Sequence, residues 1–88
     1  MIMRIKEGYV LRKVADSGVI VSLEEMDCNH LMTLNQSGMD LWEMLQTDCN
    51  METLVQGMSE LYDVDEDILY SDILSFVDKI REAGLLDE

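Results

Sequence analysis

The chain has 88 residues, 48% of them hydrophobic, and a formal net charge of -13. That content of apolar residues in so short a chain describes one small domain (residues 1–88) with a thin core, and it excludes disorder despite the charge. The basic residues Arg4, Lys6, Arg12 and Lys13 lie near one end and Lys79 and Arg81 near the other, with none between Val14 and Asp78. Without a basic face to neutralise phosphates, the charge argues against nucleic acid as a partner. No apolar run approaches the roughly 20 residues that cross a bilayer, which excludes a membrane. The acidity reads as a solvated surface; the alternative is a field that steers basic segments of a partner.

Taken in chain order, "MIMRIKEGYV" lacks the apolar stretch of a secretory signal. "YVLRKVA" (9–15) and "VIVSLEE" (19–25) are β-branched runs separated by "DSG" (16–18), which reads as a hairpin turn. "EEMDCN" (24–29) is a polar connection into a third strand, "HLMTLN" (30–35). Three short sequential strands predict an antiparallel meander. In "SGMDLWEML" the apolar residues Met39, Leu41, Trp42 and Leu45 follow a helical period. Asn35 or Ser37 can serve as its N-cap, with Ser37 and Asp40 at capping-box spacing. Trp42 belongs to the core rather than to a contact surface.

Asn50 is placed to cap a second helix, Met51 to Leu61, and Asp65 to cap a third, Glu66 to Ala83. Acids at the start of the third helix and Lys79 and Arg81 near its end complement the helix dipole. Gly84 suits the position after the last turn, where Leu85 and Leu86 can fold back to cover it. The fold class is therefore α+β, a three-stranded antiparallel meander followed by three helices. On the third helix Leu69, Ile73, Phe76, Val77, Ile80 and Ala83 share a face, and Tyr70 and Leu74 widen it to about half the circumference. A surface helix needs a stripe of about 100°. Either the helix packs on two neighbours, or one flank lines a groove left open for a ligand.

Catalytic motifs are lacking. The chain has one His, no GxSxG, no phosphate-binding Gly-rich loop and no HExxH. His30 sits in the third strand, where a packed or half-exposed imidazole is the ordinary case, so no Cys–His dyad and no enzyme are expected. Cys28 and Cys49 have no CxxC spacing and no second ligand pair. They read as reduced thiols of a cytoplasmic protein, with no metal and no cofactor. In "DVDED" (63–67) the acids match the first three ligand positions of a calcium loop. The sixth and twelfth positions, Ile68 and Leu74, do not.

The strands carry the functional signal. Open sheet edges are usually guarded by charge, and Arg12 and Lys13 guard the first strand. The third strand has no charge guard, and alternation sets His30, Met32 and Leu34 against Leu31 and Thr33, with apolar side chains on both faces. An extended peptide adding a further strand would cover such an edge. So would an intramolecular segment or a second copy of the chain.

"YVLRKVA", "LNQSGMDLWEML" and "YDVDEDILYSDILSFVDKIREAGLL" together resemble the PqqD family over nearly the whole chain. Leu34, Asn35, Ser37, Gly38, Leu41 and Trp42 match its Leu-Asn-x-Thr/Ser-Gly-x-x-Leu-Trp segment. Tyr62 to Val64 match the break before the last helix, and Arg81 to Leu86 match that helix's end. The resemblance implies a winged-helix-like recognition element for ribosomally made, post-translationally modified peptides. Such a non-catalytic chaperone binds the leader of a precursor peptide and presents it to a modifying enzyme. That partner is often a radical SAM protein, or a protease and cyclase as in lasso peptide pathways. The leader adds to the third strand, so the implied contacts are His30, Leu31, Met32, Thr33 and Leu34, with Leu69, Asp72, Ile73 and Phe76 across the groove. Family members often carry polar residues where this chain has Tyr70 and Leu74, which makes that flank a candidate contact for the enzyme. The competing readings are a DNA-binding winged helix, opposed by the charge, and a structural or regulatory subunit that self-associates or binds a protein through its open edge.

Overall fold

The computed structural model of the chain describes residues 2–23 and 30–88, and for His30 and Leu31 the backbone alone. The elements are β1 (Arg4–Ile5), β2 (Tyr9–Val14), β3 (Ser17–Ser22), β4 (His30–Leu34), α1 (Gln36–Met44), α2 (Met51–Leu61), α3 (Glu66–Glu82) and β5 (Leu86–Asp87). Strands β2, β3 and β4 form an antiparallel sheet in that order, followed by three helices. The fold is α+β, as the sequence predicts. The expected connection 24–29 and the last two positions of the expected strand 19–25 lie outside the described residues.

Helix boundaries follow the local chemistry. The Asn35 side chain accepts a hydrogen bond from the Gly38 N–H at 2.9 Å, and Ser37 Oγ donates to the same oxygen. Asn35 is thus the cap of α1, and Ser37 supports it. Asp40 takes no part in a capping box; one carboxylate oxygen accepts from the Gln36 amide and the other from the Tyr62 hydroxyl, tying α1 to the end of α2. Asn50 caps α2 by accepting from the Thr53 N–H at 2.9 Å. Asp65 occupies the cap position of α3 but makes no side-chain cap bond. Its helix start relies instead on Glu66 and Asp67 facing the dipole. Gly84, with φ of 78°, ends α3, and the Leu85 N–H returns to the Ile80 carbonyl at 2.9 Å. Leu85 and Leu86 are buried there, whereas Ala83 is exposed.

One strand expectation is corrected. The hairpin turn is Ala15–Asp16, since Val14 already pairs with Ser17, and Ser17 and Gly18 belong to β3. Gly18 is needed as a strand residue: a Cβ there would collide with Leu11 Cδ1 and stand 2.8 Å from Met39 Sδ. The pairing register of β4 shifts as well. Ile20 pairs with Met32 but Val21 with His30, so Leu31 is an extra residue in a bulge.

The inner face of the sheet, through Ile20 and Leu34, joins one hydrophobic cluster with Met39, Trp42, Leu54, Ile73 and Ile80. Trp42 is 3% exposed and lies in the core, as expected. A feature that the sequence pattern does not announce closes the molecule. Strand β1 pairs antiparallel with β5, and Met3 bridges Cys49 through N–H···O bonds of 2.7 and 3.0 Å. Met3 and Ile5 are buried as a result.

Candidate functional site

Strand β4 is an edge of the sheet, and α3 runs beside it across the start of α1. Two clefts that share Asn35, Gly38, Phe76 and Lys79 form one groove: the first lies between β4 and α3, and the second continues from it between α1, the end of α2 and α3. The smaller, about 380 Å³, lies against Met32, Thr33 and Leu34 of β4. The larger, about 520 Å³, continues along α3 past Leu69, Asp72 and Ile73 and is floored by Leu41, Met58 and Tyr62. Gly38 lets α1 tuck beneath the end of β4: a Cβ there would stand 3.2 Å from both Asn35 Oδ1 and Leu34 Cβ.

The buried stripe of α3 consists of Leu69, Ile73, Val77 and Ile80, which pack inward. Phe76, one flank away, is partly buried and borders both clefts. Tyr70 and Leu74 lie on the opposite flank, 50% and 39% exposed, and Tyr70 lines a separate surface depression with Met51 and Val55 of α2. The wide apolar arc thus serves both alternatives: its centre packs on neighbours, and one flank lines a groove.

Among the expected contact residues, Met32, Thr33, Leu34, Leu69, Asp72, Ile73 and Phe76 all border this groove. For His30 and Leu31 the structure describes the backbone alone, on β4 and at its bulge. Several lining residues went unmarked in the sequence. Lys79 was visible in principle, because Asp72, Phe76 and Lys79 stand at i, i+4 and i+7. Met58, Tyr62 and Val64 come from the second helix and the loop after it, and only the tertiary packing brings them here.

The site's chemistry is that of a binding surface. Its formal charges are Asp72 and Lys79, and among the described residues neither makes an ion pair. The Tyr62 hydroxyl donates to Asp40, which holds the phenol above its ordinary pKa, and desolvation and the charge of Asp40 add to the shift. Cys49 lies elsewhere, buried under Met3, with its thiol pushed up by burial and by Asp48. A thiol held protonated is a poor nucleophile. Cys28, the other candidate thiol for a Cys–His dyad, lies outside the described residues. Among the described residues, no group of three or more His, Cys, Asp or Glu is placed to hold a metal ion, and no helix is long and apolar enough to cross a membrane.

The family profile described as "Coenzyme PQQ synthesis protein D (PqqD)" matches residues 17–86. Among curated proteins, no relative matches the chain. Among solved structures, "TbiB1 in Complex with the TbiA(beta) Leader Peptide" is similar, with a TM-score of 0.76 and 21% sequence identity. The alignment covers 96% of this chain and 94% of that one. At that identity the likeness is one of fold.

Proposed function

The chain belongs to the PqqD family, and on that premise we propose that it is a non-catalytic chaperone that binds the leader of a ribosomally made precursor peptide. The leader adds as a strand to β4 and lays alternate side chains into the groove beside α3. The bound peptide is then presented to a modifying enzyme, for which a radical SAM protein is the proposed partner, in the cytoplasm. The observation that carries this reading is the bare edge: β4 contains no Lys, Arg, Asp or Glu and borders an apolar cleft. An edge strand offers a row of unpaired N–H and C=O groups, and apolar pockets beside it supply side-chain choice. Further support comes from the fold shared with a protein solved in complex with a leader peptide.

Isothermal titration with the leader of the precursor encoded nearest this gene tests the proposal. Saturable one-to-one binding is expected, and no heat at high micromolar peptide would sink it. The pairing strand is tested by proline. Along a strand successive N–H groups point to opposite sides, so of Met32→Pro and Thr33→Pro one removes a donor facing β3 and the other a donor facing the open edge. The second variant should fold and bind the leader more weakly. Unchanged binding by both folded variants places the peptide elsewhere. Light scattering distinguishes a monomer awaiting a peptide from a chain that pairs its edge with a second copy.

A further inference from the structure

The charges of the groove carry information that a strand edge alone does not. Main-chain hydrogen bonds accept an added strand in either direction, and a slip of one residue turns every side chain to the other face. Something else must fix direction and register. Asp72 and Lys79 are seven residues apart on α3, about 10 Å along the axis and on the same side of the helix. Both are exposed, and neither has an ion-pair partner among the described residues. They stand at different points of the groove: Lys79 lies where the two clefts join and lines the smaller one together with Met32 to Leu34, whereas Asp72 lines only the larger, together with Leu69 and Val64.

We infer that Asp72 and Lys79 make the groove read charge order, selecting an extended peptide with a basic side chain at the Asp72 end and a carboxylate at the Lys79 end. This rests on the peptide-binding reading above and names the class of peptide. Side chains on one face of a strand recur about every 6.8 Å. The two peptide charges therefore fall at an even spacing, two or four residues apart, and at four the residue midway between them faces the same way, where an apolar side chain rests between Ile73 and Phe76. Phe76 lies between the two charges along the helix and borders both clefts. A peptide entering backwards sets like charge against like at both ends, which is how a surface rejects a wrong partner. The net charge of -13 does not override this, because charges more than about 8 Å away are largely screened at physiological salt while the groove charges are met directly.

The test uses a displayed library of random twelve-residue peptides, selected on the full chain and on the double variant Asp72→Lys/Lys79→Asp. The swap leaves net charge unchanged and alters only exposed side chains; circular dichroism checks that the variant folds. The native chain should enrich peptides with a base and an acid in one fixed order at even spacing. The swapped chain should enrich the reverse order. Synthetic peptides of each order should change affinity by about five- to twentyfold between the two proteins, the scale of two exposed ion pairs turned into repulsions. If both proteins enrich the same peptides with equal affinity, charge reading is overturned and groove binding stands. If nothing is enriched, or the enriched peptides ignore proline at both Met32 and Thr33, the peptide-binding reading itself falls.

Discussion

Ala15 is a non-glycine residue at positive φ, 55°, in the two-residue turn between β2 and β3. Only the first of the two turn residues has positive φ, the sign pattern of a turn that favours glycine there. The left-handed region costs an L-residue about 1–2 kcal/mol, partly offset by glycine's extra freedom in the unfolded chain. Ala15→Gly should therefore stabilise by up to about 1 kcal/mol, read as a higher urea midpoint at unchanged slope. In the floor of the groove, the hydroxyl of Tyr62 donates to Asp40 and its ionisation is shifted upward. A raised folded value favours the protonated phenol. Its contribution is complete below the unfolded value near 10 and is lost as pH rises through the folded one. Asp40→Asn should bring phenolate formation at Tyr62 down towards the ordinary value, followed by ultraviolet absorbance. An unmoved titration would mean that the contact does not persist in solution. Lys79 was as legible as Asp72 from helical spacing. What the sequence could not show was that α3 turns that side towards β4.

Among the elements, the helices were the most legible, because caps and periodicity are local. The two asparagine caps behave as their residue type suggests, whereas Asp65 holds a cap position without a cap bond. Asn50→Ala should accordingly cost about 1 kcal/mol of stability, and Asp65→Ala clearly less. Chemical denaturation of the two variants checks the ranking, and equal losses would contradict it. Strands were less legible, since their register depends on partners. The β2–β3 turn sits earlier than its Gly and Ser suggest because Gly18 is required for close approach to Leu11 and Met39. The register shift at Leu31 arises in the pairing with β3 and cannot be read from the residues of β4 taken alone. The apolar arc of α3 divides between core and groove only once β4 and α1 are in place beside it.

For the whole molecule, charge and closure matter together. A net charge of -13 on a body 41 by 31 by 19 Å places most charges within one screening length of each other at low salt. That length falls from about 30 Å at 0.01 M to about 8 Å at 0.15 M. Self-repulsion opposes the compact state, so the melting temperature should rise with sodium chloride over this range. A flat or falling response in calorimetry would show that specific ion pairs such as Arg81–Glu88 outweigh the general repulsion. The ends of the chain are joined through β1 and β5, with Met3 and Ile5 beneath. Such pairing joins residues more than eighty positions apart and leaves no local pattern to read.

By itself the sequence determined the order of the main elements, the pair Asn35 and Ser37 from which the first cap is drawn, the cap at Asn50, the helix stop at Gly84, the burial of Trp42 and the uncharged edge at β4. Each of these is set by interactions within a few residues or by the type of one side chain. The tertiary structure decided the turn at Ala15, the register shift at Leu31, the β1–β5 closure, the side of α3 that borders the groove, and the placing of Lys79 where the two clefts join and of Asp72 in the larger alone. These depend on which distant segments pack together, and spacing along one element carries no record of its neighbours in space.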